Sequence, residues 1–272
     1  MFRERGIEIK SPEQIAVMRE AGLVVAETLE LLRAAVAPGI TTKELDTLAQ
    51  RHIRERGAVP NFLGYHGFPA TICTSVNDEV VHGIPGDRIL AAGDVISIDC
   101  GAIVDGWHGD AAITVPVGGV GSELVELMRV CEESLWRGLA AASLGGRVSD
   151  ISHAIEEYVR SHGDYGIVED YVGHGIGSAM HMAPGVPNYG RPGKGPKLVQ
   201  GMALAVEPMI TIGGSIETEV LDDDWTVITA DGSWSAHFEH SFTLTPQGTL
   251  ILTALDGGAA RLAELGIPCA AG

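Results

Sequence analysis

The sequence predicts an α/β protein made of two halves that share one plan and meet at a central site. The order helix, helix, strand occurs from 11 to 100 and again from 122 to 208. Both strands end at an acid, Asp99 in the first half and Glu207 in the second, nine residues after the leucine of a Leu-x-x-Gly motif. Such a repeat predicts two halves related by a pseudo-twofold axis, each contributing an acid to a shared pocket.

The helices are marked by their first residues. Ser11 can cap the first helix, and Gln14 can close a capping box with it. Thr41 and Glu44 repeat this pattern at a second helix, which we expect to end near Arg56. Two more helices are predicted, over 122–144 and 149–162.

A hairpin is predicted around the first acid. Residues 95–99 are apolar and β-branched with one small polar interruption, which indicates a strand. Asp105-Gly106 is a common two-residue hairpin turn, and it would place Asp99 and Asp110 on the same face. Two carboxylates in an apolar setting repel each other unless a cation lies between them, and a metal ion is the simplest candidate. Two solvated acids beside a surface turn are the alternative.

Three later residues fit such a metal site. His174 lies among glycines in Gly173–Gly177, Glu207 ends a strand that is otherwise apolar, and Glu239 follows the Asp231-Gly232 turn. Taken singly, each of them could be structural. Together with the two acids of the hairpin they form an oxygen-rich set that suits manganese, iron or cobalt, and zinc less typically. Four carboxylates and one imidazole can hold two ions that share a bridging water.

Two further histidines lie in loops rich in glycine and proline, where functional groups are often positioned. His82 precedes Gly-Ile-Pro, and His181 precedes Met-Ala-Pro. One could donate a hydrogen bond to an oxyanion, and the other could assist a leaving nitrogen. The remaining histidines of interest receive no role of their own: His66, His108, His237 and His240.

Composition excludes several classes of protein. The 272 residues carry a formal net charge of −18, which argues against broad binding to nucleic acid. The sequence has no apolar run long enough for a membrane span and no apolar signal core at its start. Four cysteines without zinc-ligand spacing favour a reduced, cytoplasmic setting. We expect one domain, with halves of about 11–110 and 122–252 and a loosely held tail over 256–272.

Several motifs, in this order along some 240 residues, resemble those of the type I methionine aminopeptidases. The matching stretches are GYHGFP (64–69), CTSVNDEVVHGIP (73–85), DVISIDCGAIVDGWHGD (94–110), GHGIGSAMH (173–181), VEPM (206–209) and SAHFEHSF (235–242). The resemblance implies the pita-bread fold. It also implies that an activated water removes the N-terminal methionine from nascent polypeptides whose second residue is small.

The same resemblance assigns roles to residues. It implies two divalent ions (cobalt, manganese, iron or zinc), with Asp110 and Glu239 bridging them and Glu207 also serving as general base. His181 would steady the oxyanion, and His82 would lie near the scissile nitrogen. The implied metal ligands are Asp99, Asp110, His174, Glu207 and Glu239. The implied methionine pocket is Phe62, Tyr65, Phe68, Cys73, Met180 and Trp225, a composition that suits a thioether.

Some positions depart from the family pattern, all of them outside the implied ligands. Met180 replaces an aromatic residue, Met182-Ala183 replace an acidic pair, and His237 replaces a residue that is often glutamine. Phe62 and Phe68 stand where some members have cysteine and tyrosine. These departures bear on fine specificity. With no long insert between Glu207 and Glu239, we expect the short bacterial form.

Other functions stay open at this point. A proline-directed peptidase such as prolidase or aminopeptidase P shares the fold, and a non-catalytic binding protein could retain it. A dinuclear phosphoesterase is disfavoured by the apolar pocket and the negative charge. The family default is a monomer, and transient contact with the ribosome would depend on a local basic stretch from Arg191 to Lys197.

Overall fold

The computed structural model describes residues 6–270, and every structural statement below refers to them. The five α-helices of this part are α1 (Pro12–Ala35), α2 (Thr42–Glu55), α3 (Ser122–Ala141), α4 (Val148–Ser161) and α5 (Ala259–Glu264). The strands of the first half are β1 (Val59–Pro60), β2 (Ile72–Val76), β3 (Glu79–Val81), β4 (Val95–Val104) and β5 (Trp107–Pro116). Those that follow are β6 (Tyr165–Ile167), β7 (Gly173–Gly175), β8 (Met182–Val186), β9 (Ala203–Val206), β10 (Met209–Ile212), β11 (Thr218–Val220), β12 (Val227–Thr229), β13 (Ser235–His237), β14 (Glu239–Thr245) and β15 (Gly248–Ile251).

The central hairpin forms in the predicted register. Strands β4 and β5 pair antiparallel, with Val104 opposite Trp107 and Gly101 opposite Asp110. Asp105 and Gly106 both have positive φ, 46° and 81°, as a type I′ turn requires. The strand is longer than the apolar run predicted, because pairing with β5 continues through Gly101 to the turn.

The two halves join where β5 pairs with β14. Glu239 lies opposite Ala112 across this junction, and Asp99 lies opposite the same alanine from β4. Side chains two residues apart share a face of a strand, so Asp110 joins these two acids. The small alanine leaves the space between the acids open. This junction belongs to a nine-stranded sheet with the order β1-β4-β5-β14-β9-β7-β8, in which β2 pairs with β4 and β15 with β14.

The helices pack on the sheet and on one another through the main hydrophobic core. Both predicted capping boxes form, at Ser11 with Gln14 and at Thr41 with Glu44. Helix α3 ends at Ala141, three residues earlier than predicted, because Ala142 has an extended backbone. Helix α4 begins one residue earlier than predicted and ends one residue earlier.

The predicted repeat is visible in matching hydrogen bonds between the helix pairs and the strand entries. The amide of Gly39 donates to the carbonyl of Leu90 at 2.8 Å, and that of Gly145 donates to the carbonyl of Leu198 at 2.9 Å. In each half, the residue before the second helix forms an isolated antiparallel β-bridge with the residue before this leucine. Thr41 pairs with Ile89, and Arg147 pairs with Lys197. The sequence repeat therefore corresponds to a structural repeat.

The segment after Asp256 packs against the sheet. Leu262 on α5 is fully buried and Ala270 is 4% exposed. The main chain of Cys269 forms an isolated β-bridge with that of Thr249. That the tail over 256–272 is loosely held stays a prediction, and 271–272 lie outside the described residues. Hydrogen exchange would measure how readily the described part opens. No helix within residues 6–270 is long and apolar enough to span a membrane.

Candidate metal centre and adjoining pocket

One cavity of about 130 Å³ brings together all thirteen site residues predicted from the sequence. Five of them form an acidic cluster with one imidazole: Asp99, Asp110, His174, Glu207 and Glu239. Six line an apolar side: Phe62, Tyr65, Phe68, Cys73, Met180 and Trp225. His82 and His181 complete the lining. The cavity therefore has a charged floor beside an apolar pocket.

The acids of the floor lie close enough to share a cation. Ligand atoms of Asp110, His174 and Glu239 all lie within 4.8 Å of one another. Glu207 directly follows β9, whose last residue, Val206, pairs with His240 on β14. This pairing brings Glu207 next to Glu239, the neighbour of His240. Oε1 of Glu207 lies 3.5 Å from Nε2 of His174.

Burial makes this arrangement costly without a cation. Asp110 is 3% exposed and Glu239 is 2% exposed. Burial raises the pKa of Asp99 to about 7, and burial together with the neighbouring acids raises the pKa of Asp110 well above its ordinary value. One carboxylate oxygen on each of Asp99, Asp110 and Glu239 is enclosed without a hydrogen-bond partner. Enclosed, unpartnered oxygens of this kind fit divalent ions.

His174 offers a neutral ring nitrogen to the cluster. Its Nδ1 donates to the carbonyl of Gly175 at 3.1 Å, which leaves the lone pair of Nε2 facing the acids. Burial and, to a smaller extent, nearby His181 lower its pKa to about 4. A lone pair and a carboxylate oxygen 3.5 Å apart repel each other unless a cation lies between them. The donor set as a whole therefore fits a metal centre.

His181 and His82 border the cavity in different ways. The exposed His181 has its Nδ1 2.9 Å from the hydroxyl of Tyr65. When Tyr65 donates this bond, Nε2 of His181 carries the proton and becomes a donor. His82 has a positive φ of 60°, unusual for a residue other than glycine, and its ring makes edge contacts with Tyr171 and Trp225. Burial lowers the pKa of His82 to about 4.

The apolar side is a small core of its own. Phe62, Phe68, Cys73 and Met180 are each 6% exposed or less, and Tyr65 and Trp225 pack against them. The rings of Phe68 and Trp225 meet edge to face with centroids 5.0 Å apart. A tight turn carries Tyr65, with Gly64 and His66 on either side both at positive φ. The cluster borders the acids and presents aromatic edges and a thioether to the cavity.

Sequence reasoning gave no role to His237, which lies beside the acids. Its Nε2 is 3.8 Å from Oε2 of Glu207, and ligand atoms of Glu207, His237 and Glu239 lie within 4.8 Å of one another. Burial lowers the pKa of His237 to about 3. Its position two residues before Glu239 was the available signal, because side chains at that spacing along extended chain point to the same side.

The other histidines lie away from the cluster or turn from it. His240 follows Glu239, points to the opposite side and bonds Oγ1 of Thr253 at 2.9 Å. His108 bonds Asn61 at 2.8 Å, and His66 is exposed on the turn next to Tyr65. None of the three lines the cavity.

The chain is similar to known proteins over most of its length. The model of metallopeptidase family M24 matches residues 16–246. A methionine aminopeptidase of Clostridium acetobutylicum is 52% identical over 248 residues, 91% of this chain and 98% of its own. Methionine aminopeptidase 1 of Mycobacterium tuberculosis is 52% identical over 255 residues, 92% of this chain and 96% of its own.

Solved structures agree with this similarity. The crystal structure of methionine aminopeptidase from Thermotoga maritima superposes with a TM-score of 0.89 at 42% identity, over 91% of this chain and 99% of that one. The predicted pita-bread fold, with its two α/β halves around a central site, is confirmed. The chain therefore belongs to metallopeptidase family M24 and, within it, to the methionine aminopeptidases.

Proposed function

We propose that the chain removes the N-terminal methionine from new polypeptides whose second residue is small, and that the acidic cluster holds two divalent ions for this reaction. The observation that carries the proposal is the set of enclosed carboxylate oxygens without partners, which faces one neutral imidazole beside an apolar pocket. Asp99, Asp110, His174, Glu207 and Glu239 would hold these ions, and Asp110 and Glu239 lie at the junction of the two halves.

The bound ions would supply Lewis-acid polarisation of the scissile carbonyl and lower the pKa of a water molecule. Glu207 is the base that takes the proton from this water. Its carboxylate is 14% exposed, and in the metal-free protein burial and the nearby acids raise its pKa. Bound cations would oppose this rise and favour the ionised carboxylate, which is the form that can accept a proton.

Two histidines act on the substrate beside the ions. With Nδ1 bonded to Tyr65, His181 presents an N–H to the oxygen of the scissile carbonyl and stabilises the charge that develops there. To His82, whose ring meets that of Trp225 edge to face in the cavity lining, we assign contact with the scissile nitrogen. Neither residue needs to be charged for these roles.

The apolar side of the cavity is the pocket for the methionine side chain. Thioether sulfur packs favourably against aromatic edges, at about 0.3–1.5 kcal/mol per contact. The edge-to-face pair of Phe68 and Trp225 offers such contacts, and the flexible side chain of buried Met180 packs beside them. The first residue of an Ala-Pro substrate would place only a methyl group in this pocket, so the aromatic and thioether lining favours methionine over the proline-directed alternative.

Wider assignments follow from the same proposal. We place the activity in one catalytic domain, 1–272, because the two halves share the sheet through β5 and β14. Four cysteines without disulfides support a cytoplasmic protein. A monomer is proposed, which light scattering would test. Transient ribosome contact is proposed at the exposed basic residues Arg191, Lys194 and Lys197, despite the net charge of −18.

The experiment is hydrolysis of the peptide Met-Ala-Ser by metal-stripped protein. Manganese, iron, cobalt or zinc is added back singly, and the Glu207→Gln variant is run in parallel. We expect metal-dependent release of methionine that the variant loses. An Ala-Pro peptide and a phosphate ester serve as controls for the alternatives. Metal binding without methionine release would contradict the proposed reaction, and release that needs no metal would contradict the proposed centre.

A further inference from the structure

A second imidazole, that of His237, lies against the proposed general base. Its side chain is 2% exposed, and its Nε2 lies 3.8 Å from Oε2 of Glu207. On the other side of the carboxylate, Nε2 of His174 lies 3.5 Å from Oε1. The two oxygens of Glu207 therefore face different imidazoles.

The main chain fixes His237 in this place. Strand β13 pairs with β10 so that His237 lies opposite Met209, two residues after Glu207. The hydroxyl of Thr114 accepts a hydrogen bond from the amide of His237 at 2.9 Å and donates one to its carbonyl at 2.8 Å. These main-chain bonds fix the position from which the side chain projects, and its burial limits the rotation of the ring.

The ring nitrogen that faces Glu207 lacks a hydrogen-bond partner. Nε2 of His237 is fully enclosed and makes no hydrogen bond with any described residue. An enclosed donor left unpaired costs about 1–3 kcal/mol. Oε2 of Glu207 is the carboxylate oxygen paired with it at 3.8 Å, so a shift of less than 1 Å by either side chain would form the bond. Hydrogen bonds in active sites are often long in the free enzyme and tighten in the complex.

We propose that His237 is a positioning residue, whose Nε2–H donates to Oε2 of Glu207 and holds this carboxylate in the orientation that takes the proton from water. The inference rests on the proposed role of Glu207 as general base. Because His174 faces the other oxygen, the bond distinguishes the two oxygens and prevents the carboxylate from rotating. His237 does not line the methionine pocket, so its loss should affect kcat and leave KM nearly unchanged.

Kinetics of two variants test this role. His237→Leu removes the donor while keeping an apolar side chain of similar reach, and kcat on Met-Ala-Ser should fall about ten- to hundredfold, as expected for a lost hydrogen bond to a charged group. His237→Gln restores an N–H donor and should recover most of the loss. Equal losses in the two variants, or a loss that appears mainly in KM, would overturn the proposal.

Nitrogen NMR of histidine-labelled protein gives a readout that does not depend on activity. Nε2 of His237 should carry the proton both in the metal-free protein and after loading with zinc. A zinc-bound, unprotonated Nε2 would make His237 a metal ligand and overturn its positioning role. If the wild-type protein released no methionine at all, the proposed function would fail, yet these spectra would still report whether the proton lies on Nε2.

Discussion

The acidic floor and the apolar pocket are neighbours in one cavity, but in the metal-free protein the pocket stabilises the fold and the floor destabilises it. The pocket residues pack as a small core, with Phe68 3% exposed and its ring edge against Trp225. The floor instead gathers Asp99, Asp110 and Glu239 around one alanine, with enclosed oxygens that have no partner. Burying the pocket stabilises the fold, whereas burying the floor costs free energy until cations bind.

This difference separates two kinds of substitution. A change that removes a floor acid should lower activity and raise the stability of the metal-free protein. A change that shrinks the pocket should lower both. Cation binding then adds stability only where the floor is intact, by mass action on the folded state.

Replacing Asp110 with asparagine should have the largest effect. The pKa of this carboxyl is raised by burial and by Glu239 and Asp99, so removing its charge relieves repulsion. We expect activity to fall about a thousandfold or more, since the ions contribute several kcal/mol to catalysis. The metal-free variant should unfold with a free energy about 1–3 kcal/mol higher than that of the metal-free wild type. Urea unfolding in a chelator measures this, and lower stability of the variant would contradict the comparison.

The pH dependence of stability should show the cost of the floor directly. The pKa of Asp99 is about 7 in the folded metal-free protein against an ordinary value of 3.8, so the folded state binds the extra proton between these limits. The free energy of unfolding should therefore fall as pH rises from about 4 to about 7, by at most about 1.4 kcal/mol per pH unit from this group.

Buried His82 and His174 make the free energy of unfolding rise with pH instead. Folding lowers their pKa values from 6.5 to about 4, so between these limits the unfolded state binds the extra proton. The informative quantity is thus the difference between wild type and Asp99→Asn, in which the contributions of the histidines largely cancel. The variant should gain stability relative to wild type as pH rises to 7. If the free energies of unfolding of the two proteins, measured in chelator, changed equally with pH, the proposed cost of burying the floor acids would be contradicted.

The floor was also the easier region to predict from sequence. Asp99 and Glu207 stand out because each ends an apolar run of the sequence, where a carboxylate is costly. Asp110 follows from the Asp105-Gly106 turn, because the turn sets the register. The same logic misses His237, because β13 and β14 belong to different sheets and the sequence between them shows no single alternating strand that would link His237 to Glu239.

The pocket could not be predicted from local pattern alone. Phe62, Cys73 and Met180 are as buried as ordinary core residues. Cys73 lies on β2 and the other two lie in loops, so no periodic pattern in the sequence links them. Only the resemblance to a known family assigned them to a pocket. A packed pocket and a packed core obey the same physical rules until a ligand distinguishes them.

Replacing Trp225 with alanine should break the pocket while sparing the floor. The substitution removes the edge-to-face contact with Phe68 and an aromatic edge for the substrate thioether. We expect KM to rise about tenfold, which matches the loss of about 1–1.5 kcal/mol of aromatic contacts, with kcat changed far less. Stability should fall by about 2 kcal/mol with or without metal. A fall in kcat alone would place Trp225 in the chemistry instead of the pocket.

The smallest expected effect comes from Met180→Leu, which tests whether the sulfur of the pocket matters apart from its packing. The swap nearly conserves volume, so stability should change by less than about 1.5 kcal/mol. Loss of the flexible, polarisable thioether from the pocket wall should weaken packing on the substrate side chain and raise KM about two- to threefold. Met18→Leu is the matched control, because Met18 is equally buried in another cluster on α1 and should leave KM unchanged. If both variants moved KM alike, or neither did, Met180 would contribute only packing, and the pocket would differ from the core in location alone.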